Sequence, residues 1–70
     1  MSKELAKIIA GNVRRLRIEQ DTTQTELAAR IGLPQQRIWE IESATGNPTA
    51  KTLAKVAGGL GVGVADLVTA

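Results

Sequence analysis

Residues 24–43 read QTELAARIGLPQQRIWEIES, and this stretch predicts two short helices joined by a tight turn. Thr23, directly before it, has the position and side chain needed to begin the first of these helices in a capping box. Gly32 lies where that helix should end in a left-handed residue, and Pro34 has the fixed φ that suits the next helix start. The small Ala28 would let the two helices pass close together, and large apolar side chains would hold their angle: Ile31, Leu33, Ile38 and Ile41.

Three further helices are predicted around this pair. Apolar residues at steps of three and four indicate a first helix from about residue 2 or 3 to Gln20. Thr49 caps a fourth helix that ends at Gly61, and a short fifth helix covers residues 64–68. Aromatic residues are nearly absent, which argues against a sheet. The predicted fold class is therefore all-α, with five helices in one compact domain that covers residues 1–70.

Composition limits the possible functions. The chain has neither cysteine nor histidine, so it has no disulfides, and we expect no metal or other cofactor. No histidine is present to activate a serine or threonine, and no carboxylate pair is suitably spaced, so we do not expect an enzyme. No apolar run approaches the roughly 18 residues of a membrane span. The charged N-terminus is unlike a signal peptide, and we therefore expect a cytoplasmic protein.

The charge is unevenly distributed along the chain. Residues 1–37 contain seven basic and four acidic side chains, a balance of +3, whereas residues 38–70 contain two basic and three acidic ones, a balance of −1. This asymmetry suits a polyanionic partner that faces the first half of the chain.

Taken together, these features resemble the lambda-repressor-like family, the Cro/C1-type (XRE) helix-turn-helix regulators. The resemblance covers about residues 9–68 and rests on these motifs: Val13-Arg14-Arg15-Leu16-Arg17, Thr23-Gln24-x-x-Leu27-Ala28-x-x-Ile31-Gly32, Ile38-x-x-Ile41-Glu42, Asn47-Pro48-Thr49, Leu53 and Leu60-Gly61-Val62. It implies a homodimer whose third helix lies in the major groove of double-stranded DNA. It also implies a partly buried salt bridge between Arg17 and Glu42, which is a structural pair and not a DNA contact.

The third helix, predicted from Gln35 to Ser43, supplies the candidate base contacts. At about 100° per residue, Ile38 and Ile41 share one face, and five side chains share the other: Gln35, Gln36, Trp39, Glu40 and Ser43. Glutamine can pair with adenine N6 and N7, and glutamate can accept from cytosine N4, so we expect base contacts from Gln35, Gln36 and Glu40. Trp39 is placed with them, to pack on a thymine methyl group or a sugar, although it could equally cover an apolar gap on its own domain.

Phosphate contacts are expected from residues around this helix. Gln24 begins the second helix, where exposed amides favour an anion, and the resemblance implies this role for it. The other candidates are Ser43, Arg37, and either Arg14 or Arg15, although these arginines could also be ordinary solvated cations. The family often has basic residues after the third helix, and here Ala44-Thr45-Gly46 replaces them, so the loop should hold phosphate more weakly, through backbone amides and hydroxyls.

The sequence therefore predicts a sequence-specific DNA-binding transcriptional regulator, and a repressor in particular. The alternative is an antitoxin or anti-repressor that acts mainly by binding a protein partner, although antitoxins usually have an additional segment for their toxin. Residues 62–68, with Leu60, are the candidate dimer surface, unless they only close the core of the monomer. Gly58 and Gly59 should each destabilise the fourth helix by roughly 1 kcal/mol relative to alanine, so we expect this helix to be less stable than the others.

Overall fold

Five α-helices and no strand make up the fold in a computed structural model of the protein, which describes all of residues 1–70. In chain order they are α1 (Lys3–Glu19), α2 (Gln24–Ile31), α3 (Gln35–Glu42), α4 (Ala50–Leu60) and α5 (Val64–Val68). The predicted all-α class with five helices is confirmed. Helices α1 and α3 are each one residue shorter than predicted, because Gln20 and Ser43 are C-cap residues that follow the last helical turn.

Local capping explains where the helices begin and end. Thr23 Oγ1 accepts a hydrogen bond from Glu26 N at 3.0 Å, and Glu26 Oε1 accepts one from Thr23 N at 2.9 Å, which completes the predicted capping box. Thr49 caps α4 by accepting from the amide three residues further on, at 3.1 Å. Gly32, with φ of 70°, ends α2 in the left-handed conformation that favours glycine. The turn between α2 and α3 is therefore only three residues long.

The core lies between all five helices. Helix α1 packs against α3 and α5, and α2 packs against α3 and α4. Both isoleucines of α3 are buried, so the opposite side of this helix faces solvent. The core consists of Ile9, Val13, Leu27, Ala28, Ile38, Ile41, Leu53, Val56, Ala57, Leu60 and Leu67.

Gly59 has a packing role that the sequence did not predict. A Cβ atom at this position would collide with Ile31 Cγ2 and would lie 3.1 Å from Leu27 Cδ1, because α2 and α4 approach closely here. A Cβ atom at Gly58 would meet nothing within 4 Å. The two adjacent glycines therefore differ: Gly59 permits the contact between two helices, whereas nothing in the packing requires Gly58.

The candidate dimer surface belongs largely to the core of the monomer. Leu60 and Leu67 are only 3% and 0% exposed, and the side chains of Val62 and Val68 pack against the same core. For Leu60 of α4 and Leu67 of α5 the alternative of core closure therefore holds, and the expectation that these two side chains belong to a dimer surface is wrong. Val64 remains as an exposed apolar side chain of this segment.

Candidate nucleic-acid interface

A bidentate ion pair fixes α3 against α1. Arg17 Nε donates to Glu42 Oε2 at 2.6 Å and Arg17 Nη2 donates to Glu42 Oε1 at 2.9 Å, while Arg17 Nη1 donates to the carbonyl oxygen of Thr22 at 2.9 Å. The two charged side chains are only 13% and 5% exposed. The hydrogen bonds to Glu42 raise the pKa of Arg17 above its usual value, although burial opposes this shift. The pair that the resemblance implied is thus present in the structure, and it holds the C-terminal end of α3.

A chain of amide hydrogen bonds joins the starts of α2 and α3 to this pair. Gln24 Nε2 donates to Glu42 Oε1 at 3.2 Å, and Gln24 Oε1 accepts from Gln35 Nε2 at 2.6 Å. The sequence singled out Gln24 for phosphate and Gln35 for a base, but it did not predict that the two side chains touch. They are 11 residues apart in the chain, and only the three-residue turn brings them together.

An open polar depression lies beside this chain of amides. Its volume is about 220 Å³, and its lining residues are Arg14, Arg17, Gln24, Trp39, Glu42 and Ser43. Three of the side chains predicted to contact phosphate, Arg14, Gln24 and Ser43, therefore surround one depression. Arg14 has no ion-pair partner within the chain, so its positive charge is available to an anion.

The structure distinguishes Arg14 from its neighbour Arg15. The guanidinium of Arg15 lies 3.3 Å from the Glu19 carboxylate and also donates to Asn12 Oδ1 at 3.4 Å. Arg15 does not line the depression. The sequence left these two arginines as alternatives, and the geometry favours Arg14.

The outer face of α3 carries the predicted base-contacting residues. Gln35 and Gln36 are both exposed, and the Gln36 side chain makes no hydrogen bond within the chain. Trp39 is 45% exposed, on the side of α3 that borders the depression. Glu40 is half-buried, and its carboxylate lies 3.6 Å from Arg37 Nε. Arg37 and Glu40 line a second cleft, of about 180 Å³, with residues 46–49.

The loop after α3 differs from the expectation for its amides. The N–H groups of Thr45 and Gly46 both donate to the Glu40 carbonyl oxygen, at 3.1 and 3.4 Å, and Ala44 adopts a positive φ of 57°. These two amides already have partners within the chain. The prediction that backbone amides of this loop hold a phosphate is therefore wrong for Thr45 and Gly46.

No group of three or more aspartate or glutamate side chains is arranged to hold a metal ion. None of the five helices is both long enough and apolar enough to cross a membrane.

This fold and this pair of helices define a helix-turn-helix domain. The Helix-turn-helix family model HTH_3 matches residues 13–67, and the chain belongs to this family. The chain is 41% identical over 66 residues to the uncharacterized HTH-type transcriptional regulator y4dJ of Sinorhizobium fredii, covering 94% of this chain and 86% of the relative. It is 34% identical over 62 residues to the cryptic phage CTXphi transcriptional repressor RstR of Vibrio cholerae, covering 89% of this chain and 56% of that repressor.

A solved structure shares the complete fold. The crystal structure of the hypothetical transcription factor NHTF from Neisseria superimposes with a TM-score of 0.90 at 27% identity, covering 99% of this chain and 80% of that protein. The solved structure therefore shares the architecture described above. The two relatives in sequence are named as a transcriptional regulator and a transcriptional repressor.

Proposed function

We propose that the protein is a sequence-specific transcriptional regulator that binds double-stranded DNA and acts as a repressor. The observation that carries this proposal is the exposed amide-rich face of α3, which lies beside the polar depression at the start of α2. The names of the relatives, HTH-type transcriptional regulator and phage transcriptional repressor, support the same class of function. As a bacterial or phage-encoded regulator, it would act in the cytoplasm, where the DNA is.

Phosphate contacts position the protein on DNA in this proposal. Arg14 supplies the unpaired charge at the depression, while Gln24 and Ser43 supply polar groups around it. Arg37, 46% exposed, supplies a second cation at the other cleft, where its exposed pair with Glu40 is weak enough to yield to a phosphate. Such contacts give affinity and register but no preference for sequence.

The outer face of α3 reads bases. The major groove is about 12 Å wide and accepts an α-helix. Gln35 and Gln36 can each pair with adenine, and Glu40 can accept a hydrogen bond from cytosine. Trp39 lies on the side of α3 that borders the depression, between the base-reading face and the phosphate contacts. The buried pair of Arg17 and Glu42 holds this helix in place without touching DNA.

The length of α3 argues for a homodimer. Eight helical residues span about 12 Å, which corresponds to roughly three or four base pairs at 3.4 Å each. A site this short occurs too often to specify an operator, and a second copy that reads a second half-site would supply the missing specificity. We propose a two-fold dimer with half-site centres about 34 Å apart.

The test begins with selection of bound duplexes from a random pool, followed by titration of variants against the preferred and a scrambled duplex at two salt concentrations. Gln36→Ala should lose about 1–3 kcal/mol of binding free energy on the preferred duplex, and its affinity for the scrambled duplex should hardly change. This variant removes a side chain with no partner in the protein, so a loss of binding cannot come from the fold.

Arg14→Ala and Arg15→Ala form a matched pair for the phosphate contacts. Arg14→Ala should weaken binding to both duplexes and lower the salt slope by about one unit. Arg15→Ala should change both much less, because its guanidinium is engaged by Glu19. Equal losses of Gln36→Ala on both duplexes would show that α3 does not read bases, and the protein-binding alternative would then be preferred.

A further inference from the structure

Glu40 places a negative charge on the face of α3 that would meet DNA. Its half-buried side chain lines the cleft of about 180 Å³ beside residues 46–49. Double-stranded DNA carries one negative charge for about every 1.7 Å of its axis. A carboxylate that approaches the bases is therefore repelled by the phosphates unless a cation accompanies it.

Arg37 is the cation beside this carboxylate. Its Nε lies 3.6 Å from Glu40 Oε1, one helical turn away on α3, and no other residue that lines the cleft is charged. A guanidinium has five N–H donors in a planar fork, so it can serve two anions on different edges. Because the closest contact with Glu40 uses Nε, the Nη groups are free to donate to a phosphate at the same time.

The loop after α3 holds the base of the Glu40 side chain. Three groups donate to the Glu40 carbonyl oxygen: Thr45 N at 3.1 Å, Gly46 N at 3.4 Å and Thr45 Oγ1 at 3.4 Å. The backbone at Gly46 is so near that an added Cβ atom would lie 3.3 Å from Glu40 Cβ. The side chain therefore has little space on the side of the loop, and its carboxylate has Arg37 as its charged neighbour.

We propose that Arg37 is a positioning residue for base recognition: it neutralises Glu40 and holds its carboxylate toward the N4 amino group of a cytosine, while its other edge binds a phosphate. This inference rests on the proposed function and deepens it, because Arg37 then acts on sequence preference as well as on affinity. In the major groove, cytosine presents the N4 donor, which a carboxylate accepts, whereas thymine presents the O4 acceptor. The pair should therefore favour cytosine over thymine at the base that Glu40 contacts.

Arg14 provides the matched control. It is also a cation beside α3, but it lies at the other depression and has no carboxylate partner. Replacing either arginine removes one positive charge from the surface that would meet DNA, so both changes should lower overall affinity and the salt slope. Only the loss of Arg37 should change the preference for one base over another.

The experiment measures the ratio of affinities for cytosine and thymine at one base pair of the selected duplex. That pair is the one at which Glu40→Ala abolishes the base preference. The wild-type protein should prefer cytosine there by roughly 5- to 150-fold. Arg37→Ala should reduce this ratio to a few-fold at most. Arg14→Ala should lower both affinities and leave the ratio unchanged.

A variant of Glu40 isolates the role of its charge. The side chain of Glu40→Gln keeps an oxygen that accepts from cytosine but has no charge, so it needs no cation. Adding Arg37→Ala to Glu40→Gln should therefore lower the affinities for both duplexes by the same factor and leave the ratio of Glu40→Gln unchanged. Exposed ion pairs contribute little to stability, so these variants should fold, and circular dichroism checks that they do.

The ratio separates positioning from phosphate binding. Equal losses of Arg37→Ala on the two duplexes would show that Arg37 contacts phosphate only, and they would overturn the inference. A fall of the ratio in Arg14→Ala, or a further fall when Arg37→Ala is added to Glu40→Gln, would also overturn it. Thymine as the preferred base, or a preference that Glu40→Ala changes at no position, has the same consequence. All these results leave the proposed function intact, which fails only if the wild-type protein enriches no duplex at all.

Discussion

Gly58 and Gly59 provide a matched test of how α4 packs. Gly58→Ala adds a methyl group that meets nothing within 4 Å, so only the better helix propensity of alanine should act, raising the free energy of unfolding by about 0.5–1 kcal/mol. Gly59→Ala gains the same propensity term but places its methyl group against Ile31 Cγ2 and 3.1 Å from Leu27 Cδ1.

The packing cost at Gly59 exceeds that gain. An extra methyl group in a filled space typically costs 1–3 kcal/mol. Ile31 is β-branched, so its Cγ2 can move aside only by leaving its preferred χ1 or by shifting the end of α2. Because the propensity term is shared, the difference between the two variants isolates the packing cost, about 1–3 kcal/mol.

Thermal unfolding followed by helical circular dichroism measures this difference. For a domain of this size, 1 kcal/mol corresponds to roughly 4–8 °C in Tm. Gly58→Ala should unfold above the wild-type protein and Gly59→Ala below Gly58→Ala by at least 4 °C. Urea unfolding gives an independent free energy for each variant. If Gly59→Ala stabilised the protein as much as Gly58→Ala, the close approach of α2 and α4 would be refuted.

Three other perturbations have definite expected results. Replacing Arg17 or Glu42 alone by alanine should lower the free energy of unfolding, measured in urea, by about 3–5 kcal/mol. Replacing both should lower it by clearly less than the sum of the two single changes. Single changes that add within about 0.5 kcal/mol would contradict the ion pair. The hydrogen bond from the backbone N–H of Thr23 lowers the pKa of Glu26. The negative charge of the Glu26 carboxylate therefore stabilises the fold at neutral pH, and this contribution is lost as the pH falls through the lowered pKa. The Tm difference between the wild-type protein and Glu26→Gln should therefore shrink toward zero in acid, and a difference that is independent of pH would exclude this charge effect. Sedimentation with a two-fold duplex should find two chains per duplex, and one chain on a site without symmetry would contradict the dimer.

Most of the fold was predictable because its signals are local. Each of three signals involves only residues within one helical turn: the capping box at Thr23, the cap at Thr49 and the left-handed Gly32. All three are present as predicted. The apolar spacing of α3 likewise identified Ile38 and Ile41 as core residues. The family resemblance supplied the Arg17–Glu42 pair, which spacing alone does not reveal.

The candidate site depended more on three-dimensional packing. The outward face of α3 follows from helical periodicity, so the exposed positions of Gln35, Gln36 and Trp39 could be predicted from the sequence alone. The choice between Arg14 and Arg15 could not, because adjacent helical residues diverge by about 100° and only the position of α3 shows which arginine lies beside it.

Periodicity and capping chemistry in the chain determine five helices, their ends and their buried faces, since these signals act over three or four residues. Tertiary packing alone decides that Gly59 must lack a side chain and that Leu60 and Leu67 belong to the core. It also decides that Glu42 meets Gln24, and Gln24 meets Gln35, across 18 and 11 residues of chain. The physical reason is that contacts between separate helices depend on their relative angle and distance, which the whole core sets and no short segment encodes.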